Sequence, residues 1–95
     1  MSLSAEQKAE MVQSLKDDYV VLTDIVCEVV ADTEADMFML ERGDQKIPEL
    51  EQDEIRLSKL NKAYLSLYEQ EPEKAVDVIE QIYEISEKYD KLRMG

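Results

Sequence analysis

The chain has 95 residues, 44% of them hydrophobic, with only two glycines and two prolines, a composition that suits one packed domain spanning 1–95 and argues for long helices. Its formal charge is −12, from 23 acidic and 11 basic residues with no histidine. A field of that sign repels nucleic acid and anionic lipid, so direct binding to either is excluded and a basic protein is the expected partner. The single cysteine, Cys27, rules out an internal disulfide and, lying in an apolar run, reads as a small buried hydrophobe. Residues 1–8 contain neither an apolar core nor a cleavage site, and no apolar stretch approaches a bilayer span, so a cytoplasmic setting is expected.

The apolar spacing predicts an all-α protein, a small three- or four-helix bundle. Ser4 and Gln7 make a capping box for a first helix whose stripe runs Val12, Leu15, Tyr19, Leu22, Val26 and Val29. Gly43 is its expected stop, although Asp32 or Thr33 could instead cap a separate helix beginning near Glu34. Residues 19–30 hold seven β-branched side chains, which favour strands, but the apolar positions do not alternate and the acidic ones keep helical spacing. A second helix is expected from Pro48, with Leu57, Leu60, Tyr64 and Leu67 on its inner face. A third is expected from Pro72, carrying Ala75, Val78, Ile82, Ile85, Tyr89 and Leu92. Only Glu69 to Glu71 would separate these two, which predicts a C-terminal antiparallel hairpin. A core this small is expected to be supplemented by homodimerisation.

Charge is distributed unevenly. Between Asp17 and Glu54 stand thirteen acidic residues and two basic ones, and from Asp17 to Glu41 there is no basic residue. Asp24, Glu28, Asp32 and Asp36 follow one another at i,i+4, forming a helical ridge with carboxylates about 6 Å apart along the axis. Asp17 and Asp18 extend that row. Like charges at this spacing weaken a helix by a few tenths of a kcal/mol per pair, and a sequence selected for solubility alone would intersperse lysines. A second ridge, Glu73, Asp77, Glu80, Glu84 and Glu87, has Lys74 and Lys88 nearby and reads as a solvated face.

A row of carboxylates can stand in for a row of phosphates and occupy the basic cleft of a nucleic-acid-binding protein. Small, acidic, histidine-free helical chains of this kind resemble in composition the DNA-mimic inhibitors that phages direct against host restriction systems. The resemblance rests on composition and on no motif. It implies a non-catalytic inhibitor or regulator acting by contact, without cofactor, in the host cytoplasm if the chain is phage-encoded.

Two other function classes are weighed against this. In 37–40, Met-Phe-Met-Leu, four consecutive apolar residues point around a helix. Phe38 and Leu40 read as core plugs and Met37 or Met39 as an apolar interface, which would make the chain a helical adaptor. The third class is a carboxylate-metal hydrolase, for which Glu51, Glu54, Asp77 and Glu80 offer i,i+3 pairs. A calcium loop starting at Asp32 fails, because Met37 stands where its glycine is required and Gly43 where its bidentate glutamate is required. Without histidine there is no di-iron ligation and no imidazole base for Cys27 or a serine, and no glycine-rich phosphate loop is present. No metal site and no catalytic residue is therefore expected. Leu57, Leu60, Asn61 and Tyr64 resemble the first helix of a tetratricopeptide unit, but one copy cannot form a repeat array.

Overall fold

A computed structural model describes residues 3–43 and 46–94. Three helices, α1 (Ala5–Glu41), α2 (Leu50–Leu67) and α3 (Pro72–Met94), account for nearly all of it. The capping box at Ser4 is formed: its Oγ accepts from Gln7 N–H while the Gln7 side chain accepts from Ser4 N–H. At the other end of α1, Gly43 N–H reaches the Leu40 carbonyl at 3.1 Å. α3 begins at Pro72 as its sequence predicts. α2 begins two residues later than expected, because Pro48 and Glu49 form a turn closed by Leu50 N–H on the Ile47 carbonyl.

α1 is not one rod. A straight helix of 37 residues would be about 55 Å long, whereas the longest dimension of the molecule is 45 Å. The break lies at Asp18, whose backbone leaves the helical region (φ −160°, ψ 94°). Its carboxylate accepts the N–H of Val20 at 3.1 Å, the hydrogen bond of an N-cap to the second residue of a new helix. Residues 5–17 thus form a first arm and residues 19–41 a second. The alternative break at Asp32 or Thr33 does not occur. Thr33 is buried inside continuous helix, and its hydroxyl is satisfied by donating to the Val29 carbonyl at 2.7 Å.

Side-chain pairings give the direction of each arm. Lys8 reaches Asp77 and Glu80, and Lys16 reaches Glu73, so α3 numbers fall as first-arm numbers rise. On the second arm Tyr19 lies against Tyr68, just before α3, and Asp36 meets Arg93 near its end. The chain therefore doubles back at Asp18, and α3 has α1 arms beside it running in both senses. α2 pairs with α3 through Asp53 with Lys88 and Tyr89, and Arg56 with Gln81.

This placement explains why α3 has the widest apolar face. Besides the expected Ala75, Val78, Ile82, Ile85 and Tyr89, it buries Pro72, Val76 and Ile79. A helix with neighbours on several sides needs more than one stripe. On the second arm of α1 the buried stripe is Leu22, Val26, Val30, Thr33, Met37 and Leu40. It outweighs the β-branched composition of that segment, which is helical throughout. Leu57 and Tyr64 complete the core from α2, and the Tyr64 hydroxyl shares a 2.8 Å hydrogen bond with Thr23.

Asp53 joins α2 to α3. Its carboxylate accepts from Lys88 Nζ at 2.7 Å and from the Tyr89 hydroxyl at 2.5 Å, while Lys88 also reaches Glu49 at 2.8 Å. Burial opposes ionisation of Asp53, but the hydrogen bonds from Lys88 and Tyr89 outweigh it and hold the carboxyl below its usual value. Burial and the bond to Asp53 together push the Tyr89 hydroxyl far up.

Two predictions follow from these joints. Asp18→Ala should destabilise the protein by about 1 kcal/mol in urea denaturation, whereas Asp32→Ala, which removes no cap, should be near neutral. Asp53 and Glu49 both ionise more readily in the fold than in the unfolded chain. The stability they contribute is present above their ordinary values of 3.8 and 4.5 and is lost as pH falls through the lower folded ones. Thermal melts should therefore fall off in acid, and Asp53→Asn should both flatten that limb and cost about 1–3 kcal/mol at neutral pH.

Candidate functional site

The second arm of α1 carries two stripes. Against the buried one, a second set at alternating steps of four and three faces water: Val21, Ile25, Glu28, Asp32, Ala35 and Met39 are all exposed. Acidic residues occupy its middle and apolar residues its ends. Val21, Ile25 and Met39 are 56%, 42% and 51% exposed, large values for such side chains on a small helical protein.

The predicted acidic residues divide into three groups. Asp24, Glu28 and Asp32 are exposed, and no ion pair or hydrogen bond of their side chains occurs among the described residues. Asp36, one step further along the row, is half-buried and faces Arg93 at 3.5 Å. The geometry of the row explains this difference. Steps of four residues advance about 40° around a helix, so the ridge winds from the solvent side at Asp24 toward the α3 side at Asp36. Asp17 and Asp18 are exposed but belong to the reversal: Asp17 accepts from Gln13 Nε2 at 2.9 Å and Asp18 caps the second arm. The row is thus bare over three residues, with structural duties at either end.

The apolar assignments around 37–40 need correction. Met37, expected at an interface, is buried, and Phe38, expected in the core, is 53% exposed with the Arg42 guanidinium 4.9 Å over its ring. Leu40 is buried and Met39 exposed, as expected. The reason is spacing: 37 and 40 continue the buried stripe from 26, 30 and 33, while 38 and 39 turn outward. Cys27 is likewise exposed rather than buried, because it stands about 100° around the helix from the buried Val26.

The ridge on α3 has the opposite fate. Glu73 faces Lys16 at 3.8 Å, Asp77 and Glu80 face Lys8 at 3.6 and 3.2 Å, and Glu87 faces Lys91 at 3.1 Å. Glu80 also accepts the backbone N–H of Leu3 at 2.8 Å, and that bond with the Lys8 contact holds its carboxyl below the usual range. Glu73, Asp77 and Glu80 form a seam to the first arm of α1 with Lys8 and Lys16 as counter-ions, Glu87 takes Lys91, and Lys74 pairs with Glu71 instead.

Sequence reasoning did not find a cavity between the second arm of α1 and α2, of about 310 Å³, lined by Val30, Glu34, Met37, Phe38, Glu41, Glu54, Leu57, Ser58 and Asn61. Burial first, then the charges of Glu41, Glu51 and Glu34, push the Glu54 carboxyl up. Glu34 and Glu41 are seven residues apart and share a helix face, a signal visible in the sequence. Their meeting with Glu54 depends on how two helices register.

Among the described residues no group of three or more Asp, Glu, Cys or His side chains is placed to hold a metal ion, and no helix is long and apolar enough to cross a membrane. Comparison with known proteins finds no matching family model, no matching curated protein and no matching solved structure.

Proposed function

We propose that this chain acts by contact, without catalysis, presenting the second arm of α1 to a basic protein surface and thereby inhibiting or regulating a nucleic-acid-binding protein. The observation that carries the reading is the bare row Asp24, Glu28 and Asp32 on a helix whose other face is anchored in the core. From Asp18 to Glu41 the chain holds seven carboxylates and no basic residue. At 1.5 Å per residue that is one negative charge per roughly 5 Å, against one per 3.4 Å along a single strand of duplex DNA. A cleft lined with lysine and arginine to receive phosphates would meet charge of the same sign on this helix, at lower density. The phage DNA-mimic inhibitors of restriction systems act in this general way, and the likeness to them remains one of composition.

The same reading keeps α2 and α3 as an antiparallel hairpin and the protein as a cytoplasmic homodimer. Exposed apolar side chains outside the acidic row, such as Val20 and Leu65, offer the dimer its surface. A second reading is favoured by Val21, Ile25 and Met39 at the ends of the outward stripe: a helical adaptor held through apolar contact.

Salt and substitution separate the two. With a nucleic-acid-binding protein as partner, raising salt from about 50 to 200 mM should weaken binding at least tenfold. Duplex DNA should compete for the partner, and the combined change Asp24→Asn, Glu28→Gln, Asp32→Asn should abolish binding while leaving the helical circular dichroism intact. Binding that survives both salt and neutralisation, and is lost on Met39→Glu, would replace the mimic with the adaptor.

A further inference from the structure

The cavity between α1 and α2 is built unlike the ridge. Its floor is apolar and buried, from Val30 and Met37 of α1 and Leu57 of α2. Glu34 and Glu41 stand on one wall, Glu54 on the other, and no lysine or arginine lines it. None of the three carboxylates has an ion pair among the described residues. Asn61 also lines the cavity, and its Oδ1 is closed off from solvent with no hydrogen-bond donor among the described residues. That oxygen has no surface open to the cavity, so Asn61 borders the site without offering it an acceptor. The polar lining is rich in acceptors: three carboxylates and the Ser58 hydroxyl.

We propose that this cavity is an anchor site for one arginine side chain of a partner protein. Its volume is at the small end for ligand pockets, so it suits a single side chain rather than a helix or strand. An arginine divides as the cavity does, with an apolar stem for the Val30, Met37 and Leu57 floor and a cationic head for the carboxylate walls. The guanidinium presents five donors in a planar fork, which carboxylates on opposite walls could share. A lysine has three donors on a point charge and matches that arrangement less well. The rim already supports such a group: the chain's own Arg42 lies over the Phe38 ring. Anions are excluded by the three carboxylates. The proposal deepens the reading of a basic partner by naming where one of its side chains would be held, and it uses residues distinct from the ridge.

The test is a titration of the isotope-labelled full chain with N-acetyl-arginine methylamide at low salt, followed by backbone amide shifts. Saturable shifts centred on Val30, Met37, Leu57, Ser58 and Asn61 are expected, with weaker binding of the matching lysine compound. Glu34→Gln combined with Glu54→Gln should weaken binding roughly tenfold or more, as loss of charge-assisted bonds requires. Glu54→Gln removes a carboxylate that burial and its neighbours disfavour, so the fold should survive the change. Asp24→Asn with Glu28→Gln should leave the titration unchanged, which separates this site from the ridge. Unsaturable shifts spread over the whole acidic surface, equal affinity for the lysine compound, or indifference to the Glu34 and Glu54 changes would each overturn the assignment. Arginine binding that persists while the neutralised ridge still holds its partner would sink the ridge reading and leave this one standing.

Discussion

The structure depends on a reversal made by one residue. Asp18 leaves helical geometry, and its carboxylate takes up a backbone N–H that the new helix leaves without a partner. Because the chain doubles back there, the first arm of α1 lies along α3 and delivers Lys8 and Lys16 to Glu73, Asp77 and Glu80. A straight α1 would carry those lysines away from the bundle and leave the α3 ridge without them. The capping bond is worth only about 1 kcal/mol, but it decides which acidic surface is neutralised.

That decision separates two ridges that look alike in the sequence. Both place carboxylates at helical steps of three or four residues. Among the described residues every ion pair has a partner on α3, through Lys8, Lys16, Lys74, Lys88, Lys91 or Arg93. Arg42, Lys46, Arg56, Lys59 and Lys62 stand outside these pairs and form none with α1 among the described residues, and its second arm, which contains no cation before Arg42, receives only Arg93 at its far end. Exposed ion pairs contribute little individually, so the effect on stability is small. The effect on the surface is large, because it concentrates uncompensated charge on one helix.

Helical class, the Ser4 cap, the Gly43 stop and the start at Pro72 were legible because each depends on residues within one turn of one another. The stripe on α3 was legible for the same reason, though narrower than the true face, since nothing local to α3 reports how many neighbours it has. Asp18 has the side chain of a cap, yet the unbroken apolar pattern from Val12 to Val29 hid the break. Two arms folded back on each other keep their buried faces in register across it, with Leu15 and Leu22 both in the core. The Met37 and Phe38 assignments went astray with the stripe: continuing the expected Leu22, Val26 and Val29 by steps of four and three reaches 33, 36 and 40, whereas the buried face runs through Val30, Thr33 and Met37. Asp53 with Lys88 and Tyr89, and Glu54 with Glu34 and Glu41, join residues from different helices. No periodicity along a single segment contains that information.

The second arm of α1 breaks several local rules together. It exposes the β-branched Val20, Val21 and Ile25, which form helices less readily than straight-chain residues, and it stacks like charges at i,i+4. It also leaves Phe38 and Met39 in water. None of these features assists the fold, which is secured by the opposite stripe from Leu22 to Leu40 and would be served as well by lysine, glutamate and alanine outside. On the proposed reading such a helix carries two separable tasks, an inner stripe held by burial despite its β-branched Val26, Val30 and Thr33, and an outer face that satisfies few local preferences. The inner task is packing on α3. The outer face, acidic in the middle and apolar at its ends, is the proposed contact surface, and on that reading substitutions there alter binding before they alter folding.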